Sequence, residues 1–99
     1  VVDIWNIDSG NWTKTTLVSS RFVLAATSVG DFALFGGGRV STTTQNGTAD
    51  VDIWNSVNNS WSNTILTFSG AAAPRLRLAA TSVGKYALFG GGCCSISNV

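Results

Sequence analysis

The sequence predicts an all-β fold assembled from four-stranded antiparallel units, and three observations carry that prediction. First, segments recur in order: Val2-Asp3-Ile4-Trp5-Asn6 returns as Val51-Asp52-Ile53-Trp54-Asn55, Leu24-Ala25-Ala26-Thr27-Ser28-Val29-Gly30 returns intact from Leu78 to Gly84, and Ala33-Leu34-Phe35-Gly36-Gly37-Gly38 returns from Ala87 to Gly92. Second, runs rich in β-branched and aromatic residues are punctuated by Gly, Asn and Asp about every 8–12 residues, the spacing of short strands and turns. Third, no stretch carries the 3.6-residue period of an amphipathic helix.

Each unit holds four strand-like runs. The first is residues 22–28, ended by Val29-Gly30-Asp31, and the second is residues 32–35, ended by three glycines. The third is residues 50–54, followed by an Asn/Ser-rich turn, and the fourth is the polar, Thr-rich run 60–66. Both alternating faces of Phe32-Ala33-Leu34-Phe35 are apolar, so neither suits water. Tyr86, the counterpart of Phe32, reads as core filling on the same grounds. The fourth run alternates with polar residues and suits an outer edge. A sheet apolar on both faces must lie between similar sheets, which is the logic of a propeller blade.

The repeat is out of phase with the chain. Residues 1–20 carry the third and fourth strands of one unit, residues 21–66 a complete unit, and residues 67–99 a connection followed by the first two strands of another. The first repeated segment is offset by 49 residues and the other two by 54. The five additional residues fall between Trp61 and Arg75, around Gly70-Ala71-Ala72-Ala73-Pro74, where a connection between units tolerates insertion.

These residues resemble kelch repeats over essentially the whole chain. Kelch units carry an Arg near the start of the first strand, a glycine doublet ending the second, and two aromatics with six residues between them across the third and fourth. The matching positions are Arg21 and Arg75, Gly36-Gly37 and Gly90-Gly91, and Trp5 with Trp12 and Trp54 with Trp61. The family more often has Tyr where Trp5 and Trp54 stand. The resemblance implies kelch-type β-propeller blades, one whole blade flanked by two half-blades, and loops that bind proteins or carbohydrates.

Two blades do not close a ring, because propellers hold roughly 4–8. Half-blades also leave open sheet edges that invite another chain. Three arrangements satisfy this: a longer propeller polypeptide, a ring closed by several copies, or copies joined head to tail in a filament. Ser97-Asn98-Val99 reads naturally into Val1-Val2-Asp3, which favours a repeating arrangement. The chain contains no Met, and we read it as processed, excised or part of something longer.

Composition narrows the function. Charged residues are 11% of the chain against a usual ~25%. The six basic residues are scattered, too sparse for the clustered phosphate contacts that nucleic acid requires. No apolar run approaches the ~18–20 residues that span a bilayer as a helix. With no His and no Glu, the commonest general base and His-ligated metal sites are missing, and the five acids are all Asp. We therefore expect no catalytic residue, no metal and no cofactor. Asp3 and Asp52 recur at equivalent positions and read as structural, capping strand or turn backbone groups. The triple glycines lack the Gly-Lys-Ser/Thr of a phosphate loop and read as close backbone approaches. Arg21 and Arg75 read either as a binding face or as structural ion pairs.

Three N-x-Ser/Thr sequons, at Asn11, Asn46 and Asn58, fall in predicted turns and are candidate glycosylation sites, although abundant Asn, Ser and Thr also generate such triplets by chance. Asn46 and Asn58 are the better placed, since Trp12 occupies the middle of the first sequon. Residues 41–44 are a Ser/Thr run open to O-linked sugar or to an ordinary polar loop. Adjacent Cys93 and Cys94 lack redox or zinc spacing. They are disulfide candidates, as a ring disulfide or as bridges to other copies, or else free thiols. The expectation is a non-enzymatic, extracellular, self-assembling glycoprotein whose partners are copies of itself, with glycans or other proteins as alternative ligands.

Overall fold

The computed structural model describes residues 1–18, 21–39, 47–68, 71–72, 74 and 76–92. Among them the chain is all-β, with ten strands in small antiparallel sheets and no helix. β1 (Val2–Asn6) pairs with β2 (Asn11–Thr15) as a two-stranded sheet. β3 (Ala25–Val29), β4 (Phe32–Gly36), β5 (Asp50–Asn55) and β6 (Ser60–Ile65) form a four-stranded sheet in chain order. β7 (Thr67–Phe68) and β8 (Ala71–Ala72) make a short hairpin, and β9 (Ala79–Val83) pairs with β10 (Tyr86–Gly90).

Local chemistry explains the turns. Gly30 and Gly84 both take φ +56°, the left-handed conformation that lets two residues reverse β3 into β4 and β9 into β10. The β1–β2 and β5–β6 turns begin on Asn6 and Asn55, whose side-chain Oδ1 atoms accept hydrogen bonds from the backbone N–H groups of Asp8 and Val57, each at 2.9 Å. Gly10 and Asn59 supply the left-handed residue near the end of each turn, at φ +73° and +56°. The equivalent hairpins thus use equivalent devices.

The first strand of the unit starts later than the apolar run suggests. Phe22 is tied to Arg39 by two backbone hydrogen bonds of 3.0 Å, as an isolated bridge. Val23 then takes φ +51°, which turns the chain before β3 begins at Ala25. The region read as an inserted connection holds the β7–β8 hairpin instead of irregular chain throughout.

The β9–β10 and β1–β2 sheets each touch the four-stranded one. β3 packs on β9 and β10. An ideal Cβ on Gly36 would stand 2.8 Å from the Phe89 ring, so the bare backbone of β4 seats that ring. On the other side, Trp61 Nε1 donates to Thr15 Oγ1 at 3.2 Å, joining β6 to the end of β2. Among the described residues the buried apolar ones are Ala25, Ala49, Val51, Leu76 and Leu78. As the polar alternation implies, β6 is an edge strand, opposite the other edge β3, and Trp61 is its one half-buried residue. Phe32 and Tyr86 correct the expectation of core filling. They are 43% and 71% exposed, because each begins its strand beside a two-residue turn at the sheet's rim.

Candidate functional site

The best-built polar centre lies inside the four-stranded sheet. Arg21, just before β3, is buried with all three guanidinium nitrogens hydrogen-bonded: Nε donates to Gly37 O at 2.8 Å, one terminal nitrogen to Phe35 O at 2.8 Å, and the other to Asp52 Oδ2 at 3.2 Å. Asp52, on β5, is 0% exposed, and its second oxygen accepts from Asn63 Nδ2 of β6 at 2.9 Å. One carboxylate thus connects the chain entering β3 to β6, while the guanidinium holds the backbone where β4 ends. A buried pair of this kind is tolerated because each charge has a counter-charge and further hydrogen bonds.

This decides between the two readings of Arg21 in favour of a structural ion pair. Asp52, read as structural, holds the Arg21 and Asn63 side chains. Its repeat equivalent Asp3 is exposed and makes no side-chain hydrogen bond among the described residues. Lys14 faces Asp3 across β1–β2, where Asn63 faces Asp52. Arg75 lies outside the described residues.

The repeated aromatics split into two settings. Trp5 and Trp12 pair across β1–β2 with ring centroids 5.2 Å apart and planes tilted by 46°, and both are largely exposed. Trp54 and Trp61 are half-buried, Trp61 lying 6.1 Å from Phe35 and Trp54 Nε1 donating to Asn59 Oδ1 at 2.9 Å. The glycine runs place Gly37 and Gly38 at φ +74° and +90°, and Gly91 and Gly92 at +76° and +87°. A Cβ on Gly38 would stand 2.6 Å from Phe22 O, and one on Gly92 2.7 Å from Leu76 O. The two units repeat the same close approach.

Asn58 is exposed in the β5–β6 turn, where its Oδ1 accepts from the Ser60 hydroxyl. Asn11 is also exposed, but it opens β2 instead of lying in the turn, because it pairs with Asn6. Asn46, the Ser/Thr run 41–44, Cys93 and Cys94 lie outside the described residues.

Three clefts run between β1–β2 and the four-stranded sheet. The largest, about 420 Å³, is lined by Asn6, Ser9, Asn11, Lys14, Trp54 and Asn59. A second of about 320 Å³ lies among Val1, Val2, Leu17, Leu24 and Phe35, and a third of about 250 Å³ among Ile4, Trp5, Ala33, Trp54 and Trp61. Each of the three is lined by one charged side chain, Lys14, Arg21 and Asp3 respectively. No cluster of three or more metal-ligating side chains occurs among the described residues, and no helix there is long and apolar enough to cross a membrane.

Comparison with known proteins returns no match to a family model and none to a curated protein. Sequence reasoning missed Asn63 and the left-handed residues Val23 and Arg77. Asn63 matches Lys14 in the repeat, so its partnership with Asp52 leaves no repeated signature. Val and Arg are residues that disfavour positive φ, so nothing at those positions announces the bend.

Proposed function

We propose that this chain is a non-enzymatic, self-assembling structural module of kelch-type propeller blades, an extracellular glycoprotein that builds a repeating array from copies of itself. The observation that carries the reading is the split architecture: one complete four-stranded sheet lies between two two-stranded sheets whose sequences repeat its two halves. Stacking such sheets buries the apolar faces that a single copy leaves half-open, and this is how repeat architectures gain stability. The kelch reading is supported by the Arg, glycine and Trp motifs of the sequence, and the secretion reading by the sequons and the scarcity of charge.

Electron microscopy of the native material tests it. Filaments with an axial repeat of one or two units are the expected result. A native mass that stays at one 10.3 kDa chain plus sugars at every concentration sinks the assembly reading.

A second reading, a protein- or carbohydrate-binding kelch propeller, is favoured by the cleft between β1–β2 and Trp54. An indole with several side-chain amides is the lining that a sugar ring and its hydroxyls would use. Discrete discs in the microscope, together with glycan binding that is lost in Asn59→Ala, would favour it over the array.

A further inference from the structure

The two-stranded sheets are the separated halves of the intact one. β1–β2 repeats β5–β6, with Trp5 opposite Trp12 as Trp54 is opposite Trp61. β9–β10 repeats β3–β4, with Tyr86 opposite Val83 as Phe32 is opposite Val29. In the intact sheet the halves meet through β4 and β5, from Phe32 opposite Asn55 to Gly36 opposite Val51. Among the described residues that seam is open in both half-sheets: β10 pairs there only with β9, and β1 only with β2.

Residues along the open seam are more exposed than their equivalents in the closed one. Asp52 is fully buried and Asp3 exposed, while Val51 is buried and Val2 half-buried. Trp54 is half-buried and Trp5 50% exposed, and Leu34 is half-buried and Leu88 46% exposed. Among the described strands only β1 and β5 carry the Val-Asp-Ile-Trp-Asn sequence that β4 accepts, and β5 is already paired on both sides. Charge agrees. Asp52 is held by the Arg that precedes β3, and the residue at the matching place before β9 is Arg75.

We propose that β10 of one copy joins β1 of a second copy in the register of β4 and β5, completing a four-stranded sheet across two chains, with Arg75 of the first pairing with Asp3 of the second. The junction sets Tyr86 opposite Asn6, Ala87 opposite Trp5, Leu88 opposite Ile4, Phe89 opposite Asp3 and Gly90 opposite Val2. This rests on the self-assembly reading and specifies its contact.

Crosslinking reads the register. Gly37 N–H donates to Asp50 O, so Phe35–Asp52 and Ala33–Trp54 are hydrogen-bonded pairs, and Leu34–Ile53 is a close, non-hydrogen-bonded pair suited to a disulfide. In a Cys93→Ser/Cys94→Ser background, Leu88→Cys and Ile4→Cys proteins are mixed under mild oxidation. The expected product is a disulfide heterodimer. Leu88→Cys mixed with Trp5→Cys, one residue out of register, forms at least about tenfold less, because that slip turns the side chain to the other face.

A charge exchange with native cysteines provides the second readout. Asp3→Arg alone and Arg75→Asp alone each lose assembly, and mixing the two makes both junctions between unlike chains complementary, one native and one charge-exchanged, and restores arrays in which the two chains alternate. Wild-type arrays without the 88–4 crosslink or the charge rescue would overturn the junction and leave self-assembly standing. A wild-type chain that remains monomeric at all concentrations would overturn both.

Discussion

At the scale of single residues, the Arg21–Asp52 pair dominates. Both side chains are fully buried, so removing one partner leaves the other charged inside the protein. Asp52→Ala is therefore expected to destabilise the chain by about 3–5 kcal/mol, read as a fall in the urea midpoint. Asp3→Ala, the same change at the exposed equivalent, leaves the midpoint of the unassembled chain unmoved. The glycines give a second contrast. Gly38→Ala meets both a φ of +90° and the Phe22 carbonyl and should cost more than about 2 kcal/mol. Gly30→Ala meets left-handed strain alone, with nothing within 4 Å, and should cost about 1 kcal/mol. The sequence singled out Arg21 and both glycines because they recur. It did not show what Asp52 does, since a carboxylate's partner is set by tertiary packing and Asp3 reads identically while standing in the open.

At the scale of elements, the alternation and turn chemistry of β1 to β6, β9 and β10 were legible because each strand is short, local and punctuated by Gly or Asn. The start of β3 was not. The apolar run begins at Phe22, yet the Phe22–Arg39 bridge and the bend at Val23 keep the first three residues out of the strand. Arg39 reinforces that bridge by placing its guanidinium 5.0 Å from the centre of the Phe22 ring. The β7–β8 hairpin was also hidden, because strands of only two residues are too short to carry a pattern. Packing between sheets yields a prediction here. Gly36→Val fills the space that the Phe89 ring occupies, so amide hydrogen exchange in β9–β10 should accelerate while β4–β5 stays protected. Equal acceleration in both sheets would mean that they open as one unit.

At the scale of the whole molecule, surface tells most. The chain exposes 6258 Å², whereas a compact monomer of this mass exposes roughly 5,400 Å². Its radius of gyration is 14.1 Å, against about 13 Å for a globular domain of this length. Trp5, Trp12, Tyr86 and Leu88 on the half-sheets contribute to this excess. Stability should therefore depend on protein concentration: the thermal midpoint should rise with each tenfold increase, and diluted samples should bind a hydrophobic dye that concentrated ones exclude. A midpoint independent of concentration would argue that the single chain is its own stable unit. All-β architecture was readable from the repeat itself, but the way separate sheets meet depends on contacts that no local pattern encodes.

The hydrogen bond from Arg77 N–H to Val23 O, 2.8 Å long, has a property that the strands do not share. Its donor and acceptor are the same repeat position, 54 residues apart, and both sit at left-handed φ. A link that runs from a position to its own successor needs no special first or last member. Each unit that accepts at this carbonyl also carries the N–H with which to donate backward, so the linkage is polar and can be iterated. Added units would raise the cooperativity of unfolding by nearest-neighbour coupling, and the outermost ones would fray first. Any limit on length must then come from outside the motif.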